Sequence, residues 1–187
     1  MAQAAVLPER LRLNYNDYLC FPEDDGKQYE IIEGRQYMSP PPIIIHQRLS
    51  FRLGQILGNY VKSRQLGEVF SAPTDVVFSD ENIVQPDIIY VAKENSKVIT
   101  EKNIAGTPDL LIEILSDRSR KKDKIIKKKI YEEFGVKEYW VVDPTLEIIE
   151  TYKKEEEYKK REYEAGDKMT SSVICGLVIN LEEIFSN

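Results

Sequence analysis

Residues 109–115, DLLIEIL, constrain the fold more than any other stretch of this chain. The run is short and nearly all apolar, the pattern of a central strand buried on both faces. A chain carrying such a strand must supply a covering layer for each face. Glu113 stands inside the run with apolar neighbours on either side. Burying an ionised carboxylate without a partner is very costly, and Val would serve the strand better. Glu113 therefore needs a cation, either a protein side chain or a metal ion.

The rest of the chain supplies the layers. Residues 1–13 read as frayed, and Asn14 then resembles a helix N-cap with Asp17 three residues on. Residues 28–39 read as two strands bent at Gly34 and ended by Pro40-Pro41-Pro42. A helix is expected over 45–64, with Ile45, Leu49, Leu53, Ile56, Leu57, Tyr60 and Val61 on one stripe and Gly67 as its stop signal. GEVFSA (67–72), TDVVFS (74–79) and QPDIIYVA (85–92) read as strands separated by turns at Pro73 and Asp80-Glu81-Asn82. After the central strand comes a charged helix over 119–134, ended by Gly135. KEYWVVD (137–143) is a second buried strand, and residues 146–167 form an antiparallel hairpin. Leu177, Val178, Leu181, Ile184 and Phe185 return to the core. The expected class is α/β: a central mixed sheet flanked by helices, with extra antiparallel strands, in a single domain over 1–187.

Composition excludes several classes. The chain has 187 residues, enough for one sizeable core. No apolar run approaches the roughly 18 residues of a membrane helix, and the first residues do not read as a secretion signal, so a cytoplasmic protein with no membrane partner is expected. Cys20 and Cys175 are far apart with no metal-binding companions, which argues against a disulfide framework or a zinc centre. The formal net charge of −6 argues against a simple nucleic-acid coat. A nuclease needs only a local basic face around an acidic metal site. There is no GxSxG, GxGxxG or phosphate-binding glycine loop, and the single histidine, His46, makes a serine triad improbable.

Asp87 is the second candidate. It follows Pro86, and by alternation shares a face with Ile89 and Val91, as Asp109, Leu111, Glu113 and Leu115 share a face of theirs. If the two strands pair, the carboxylates of Asp87 and Glu113 converge into the oxygen-donor set that a hard cation such as Mg²⁺ takes. A helical wheel selects one lysine from the crowded helix that follows. With Ile126 at 0° and about 100° per residue, Asp123 falls near ~60°, Lys127 near ~100°, and Lys128 and Lys129 near ~200° and ~300°. Lys127 is thus the inward lysine, with Asp123 its i,i+4 partner. Blander readings stand beside these. Asp87 could cap a turn, Glu113 could pair with a protein cation, and Lys127 could run past the core to solvent. His46 could be a general base or a packed helix-end residue. Glu30 and Glu33 lie on opposite strand faces, so at most one points toward a given site.

In this order, the segments YEIIEG (29–34), the helix from His46, GEVFSAPTDVVF (67–78), VQPDIIYV (84–91), GTPDLLIEILS (106–116), DKIIKKKIYEEFGVKEYWVVDP (123–144) and GLVINLEEIF (176–185) resemble the PD-(D/E)xK nuclease superfamily. More narrowly, they resemble its bacterial putative restriction endonuclease family. The resemblance implies a restriction-endonuclease-like core in which Pro86-Asp87 and Glu113 match the acidic motif. The third motif position is Leu115, not Lys, and the resemblance implies a lysine migrated to the next helix, at Lys127. His46 and Glu30 match further polar positions.

On that reading the chain is an Mg²⁺-dependent endonuclease, with Mn²⁺ as substitute, acting on nucleic acid, DNA before RNA. Asp87, Glu113 and the backbone carbonyl of Ile114 would hold the metal. Lys127 would orient water or stabilise phosphate charge, with His46 or Glu30 assisting. Arg118, Arg120, Lys121 and Lys122 would hold the nucleic-acid backbone, and a homodimer would cut both strands. The alternatives are a catalytically silent nucleic-acid-binding or interaction module on the same fold, and a metal-dependent hydrolase of another phosphoester.

Overall fold

The structure, a computed structural model, describes residues 12–22, 26–116, 120 and 122–186. Most of the expected frayed leader, 1–11, lies outside them. Arg12 and Leu13 do not fray: Arg12 pairs with Glu81 at 2.6 Å and the Leu13 N–H donates to the Gly34 carbonyl at 2.9 Å. Asn14 caps α1 (Tyr15–Tyr18), and Asp17 returns the bond to complete a capping box.

β1 (Gln28–Ile32) and β2 (Arg35–Ser39) form an antiparallel hairpin. Its turn uses positive φ at both Glu33 and Gly34, the left-handed geometry that suits a two-residue loop. α2 (Ile44–Arg64) follows, and the expected stripe faces inward, with Leu49, Leu53, Leu57 and Val61 buried. Gln65, not Gly67, ends it, through an αL conformation with φ 54°. Gly67 has a different task. A Cβ there would stand 2.1 Å from the Val91 carbonyl oxygen, so only glycine lets these backbones approach.

Next come β3 (Gly67–Ser71), β4 (Val76–Ser79), β5 (Asn82–Val84), β6 (Ile88–Ala92), β7 (Ile104–Ala105) and β8 (Leu110–Ile114). β5 is a strand of its own where the sequence suggested a turn and the approach to 85–92. The charged helix is described at Arg120 and over 122–133, and Ser119 lies outside the described residues. Its first part, Lys122–Lys127, is π-helical and continues as α3 (Lys128–Glu133). β9 (Glu138–Asp143) and the antiparallel β10 (Ile148–Lys153) and β11 (Lys160–Glu164) form as expected. β12 (Lys168–Thr170) and β13 (Val178–Asn180) add a small sheet before α4 (Glu182–Phe185). Val178 is 57% exposed, contrary to expectation, whereas Leu177, Leu181 and Ile184 are buried in the core.

The strands form a mixed six-stranded sheet ordered β11-β10-β9-β8-β6-β3 and a five-stranded sheet ordered β2-β1-β5-β4-β7. β8 is central, parallel to β9 and antiparallel to β6. Its even residues, Leu110, Ile112 and Ile114, pack in a core with α2 and the C-terminal segment. Leu111 belongs to a second core, with Ile32, Val76, Val84, Ile130 and Tyr131 from the five-stranded sheet and α3. The expected α/β class therefore holds, with one refinement. A second sheet, assisted by α3, covers the face opposite α2. Glu113 lies on this second face, where the two sheets and the π-helical segment meet.

Candidate active site

Register brings the two acidic motifs together. Ile88 pairs with Ile112 across β6 and β8, so one further step places Asp87 opposite Glu113. The Ile114 N–H donates to Asp87 Oδ2 at 2.7 Å. In extended chain a residue's N–H and C=O point to the same edge, so the Ile114 carbonyl also faces Asp87. His46, in the first turn of α2, reaches over the sheet end to Asp87 Oδ2 at 3.1 Å. Burial lowers its pKa, but hydrogen bonds to Asp87 and the Ile114 backbone and the nearby Asp123 prevail, so the net shift is upward.

Lys127 Nζ is 2.7 Å from Glu113 Oε1, 2.7 Å from Glu30 Oε1 and 3.8 Å from Asp123 Oδ1. Its side chain is 2% exposed, so it does not run out to solvent. The π-helical winding explains how a second lysine joins it. In a π-turn the i→i+5 bond stacks residues five apart, which aligns Lys122 with Lys127. Lys122 Nζ reaches Glu30 Oε2 at 2.6 Å and Ser39 Oγ at 3.0 Å. Each oxygen of Glu30 thus meets its own ammonium group, and the Gln85 N–H donates to Oε1 at 3.0 Å. Tyr131, one turn beyond Lys127, donates to Glu113 Oε1 at 2.7 Å. Tyr139 donates to the Asp123 carbonyl at 3.1 Å, anchoring the π-helical segment to β9.

The two glutamates respond in opposite ways. Burial drives Glu113 up to about 8, against the pull of Lys127, with Asp123, Asp87 and Glu30 adding to the rise. Burial also pushes Glu30 up, but Lys127 and Lys122 overcome it and hold its carboxyl below the usual range. Two ammonium groups serve Glu30, whereas Glu113 has one and shares it. Negative charge therefore settles on Glu30.

The donor set suits a hard cation. Among the described residues, hydrogen bonds and ion pairs reach Oδ2 of Asp87 and Oε1 of Glu113 and leave Oδ1 and Oε2 without a protein donor. No cluster of three or more His, Cys, Asp or Glu side chains among the described residues could hold a metal. A cation here would take the two carboxylates and a backbone carbonyl, completing its shell with water and substrate oxygens, as Mg²⁺ does. A cleft of about 550 Å³ opens beside Asp87 and His46, walled by Tyr18, Phe21 and Tyr29 and by Asp75 and Gln85.

The structure thus gathers Asp87, Glu113, Lys127, His46, Glu30 and the Ile114 backbone. The expected backbone-binding cations are placed differently. Lys122 is engaged with Glu30, and Arg120 forms an ion pair with Asp143, with a second bond at 3.2 Å. Arg118 and Lys121 lie outside the described residues. Sequence reasoning missed the roles of Tyr131 and Gln85. The i,i+4 spacing from Lys127 could have signalled Tyr131, but nothing local marks Gln85.

Comparison with known proteins bears on the family and the fold. The Uma2 family, described as "Putative restriction endonuclease", matches residues 15–182. The chain belongs to the Uma2 family. The match spans all five of the gathered side chains. Among solved structures, this Uma2 chain is similar to the crystal structure of a putative nuclease belonging to DUF820 from Anabaena variabilis ATCC 29413. The TM-score is 0.79 at 20% identity, over 93% of this chain and 98% of the other. That likeness establishes a shared fold. No curated protein matches the Uma2 chain. No helix among its described residues is long and apolar enough to cross a membrane.

Proposed function

We propose that this Uma2 protein is an Mg²⁺-dependent endonuclease that hydrolyses phosphodiester bonds of DNA, with Mn²⁺ able to replace Mg²⁺. The observation that carries the reading is the pair of carboxylates on adjacent strands, each with one oxygen tied by protein donors and the other untied among the described residues. Asp87, Glu113 and the Ile114 carbonyl would hold the ion. When bound, the metal supplies Lewis-acid polarisation of the phosphate and a more acidic water. Water attacks phosphorus, the bond to the leaving deoxyribose oxygen breaks, and the proton passes to that oxygen.

The chain's own residues orient and balance charge. Lys127 fixes the Glu113 carboxylate by Oε1 and so turns Oε2 away from its helix. Glu30, held ionised by two lysines, keeps Lys127 charged and in place. His46 orients Asp87 through Nε2 and lines the cleft, where a phosphate oxygen would meet it. A homodimer would place one such site on each strand of a duplex.

The test incubates supercoiled plasmid, single-stranded DNA and RNA with the protein in Mg²⁺, Mn²⁺ or EDTA. Metal-dependent cleavage of DNA that vanishes in Asp87→Asn is expected. Binding without cleavage would favour a silent nucleic-acid-binding module. Cleavage that survives Asp87→Asn would overturn the site.

A further inference from the structure

The cleft beside Asp87 holds features that hydrolysis of a phosphodiester does not use. Its aromatic wall is continuous: Phe21 sits 5.7 Å from Tyr18 and 5.4 Å from Tyr29, centroid to centroid. Tyr18 and Phe21 are only partly buried. At the Tyr18 end of that wall lies a fixed polar pair, Asp75 and Gln85. The Tyr18 hydroxyl donates to Asp75 Oδ1 at 2.6 Å, and Gln85 Nε2 donates to the same oxygen at 2.8 Å and to the Tyr18 hydroxyl at 3.1 Å. These bonds set the Gln85 amide so that Nε2 is consumed and Oε1 is left. Gln85 Oε1 is buried with no partner among the described residues, and Asp75 Oδ2 accepts no hydrogen bond among them either. A buried acceptor without a donor carries a desolvation penalty that a ligand donor would relieve.

We propose that this cleft takes one unstacked nucleobase bearing an amino group, next to the phosphate at the Asp87–Glu113 site. The proposal rests on the nuclease reading and names its substrate class: a strand in which one base has left the stack. Aromatic faces supply sequence-tolerant stacking. Two unfilled acceptors, Gln85 Oε1 and Asp75 Oδ2, complement an amino edge such as cytosine N4, a pairing carboxylates make elsewhere. The volume of about 550 Å³ lies in the range of small-molecule sites. Asp87 and Gln85 both line the cleft, so phosphate and base of one nucleotide would be held by a single segment of chain.

The experiment is a fluorescence anisotropy titration of the whole protein, with Ca²⁺ in place of Mg²⁺. The probes are labelled single-stranded 10-mers of dC, of dT, and of abasic deoxyribose phosphate, which carry equal backbone charge. Binding of dC over abasic strand by on the order of tenfold is expected, and of dC over dT by about fivefold. Phe21→Ala should erase the advantage over abasic strand, and Gln85→Leu, nearly isosteric, should erase only the preference for dC. Circular dichroism confirms that each variant is folded, and Gln85→Leu keeps the test alive should Phe21→Ala unfold. Equal binding of all three strands, or preferences that survive both substitutions, would overturn the proposal. Plasmid cleavage that persists without base preference sinks the base cleft alone, whereas base preference without metal-dependent cleavage sinks the nuclease reading.

Discussion

Glu113 on β8 and Glu138 on β9 are both buried carboxylates on neighbouring central strands, 3% and 0% exposed. What holds them differs. Glu138 accepts from Trp140 Nε1 at 2.7 Å on one oxygen. The other accepts from both Ser171 and Ser172 hydroxyls and from the Ser172 and Val173 N–H groups. Its hydrogen bonds all come from neutral donors, with the Lys153 ammonium 4.0 Å from Oε1, and they tie the segment before β13 to the main sheet. Glu113 instead has a shared ammonium and a tyrosine on one oxygen, nothing on the other among the described residues, and burial, with acidic neighbours adding to it, that drives its pKa up. A satisfied buried carboxylate is a structural clasp. A half-satisfied one, crowded by like charge, is what the proposed cation site calls for.

The largest effect expected from this contrast falls on stability. Glu138→Ala strands the Trp140 and Ser172 donors inside the protein, and should cost about 3–5 kcal/mol, the range for breaking a buried charged network. Urea unfolding checks it. The folded fraction of that variant should keep the proposed metal-dependent activity. Loss of activity with unchanged stability would erase the distinction drawn between the two glutamates.

Glu113→Gln should do the reverse. Removing one cation-facing oxygen should lower cleavage at least about a hundredfold, comparable to deleting a single transition-state stabiliser. Stability near neutral pH should fall little, because the protonated Glu113 is already neutral there and the amide keeps its size and shape. Initial rates on plasmid, set beside urea midpoints, make the comparison. A variant that cuts normally but unfolds readily would make Glu113 a clasp like Glu138.

The sequence exposed these two residues unequally, for physical reasons. Glu113 stood out because apolar neighbours on both sides leave it no cheap local partner. Glu138 starts its strand beside Lys137 and looks like an ordinary exposed strand end. Apart from Trp140 and Lys153, its partners lie more than thirty residues away and are partly backbone groups, which no side-chain pattern reveals. The wheel found Lys127 because its inward face survives the change from α- to π-winding. The same wheel hid Lys122, since only a π-turn stacks residues five apart. The α2 stripe, the β1–β2 hairpin and the central strands were legible from periodicity and turn residues. The second sheet was not: β3 and β4 are near neighbours in sequence yet lie in different sheets, a tertiary choice that local pattern does not carry.

The smallest and most diagnostic effect is linked to pH. Glu113 keeps its proton in the folded chain up to about 8, against an ordinary value of 4.5. Between those values the native state holds a proton that the unfolded state has released. Stability from this group is therefore fully present below about 4.5 and is lost as pH rises through about 8. A metal ion must displace the same proton, so apparent Mg²⁺ affinity should climb about tenfold per pH unit and level off above that pKa. Calorimetric titration at pH 7 in buffers of different ionisation enthalpy should register about one proton released per ion bound. Glu113→Gln should abolish that release and flatten the fall in stability, whereas Glu138→Ala should leave both in place. Proton release that persists in Glu113→Gln would mean that another group titrates with the metal, and the two buried glutamates would no longer be told apart by their charge.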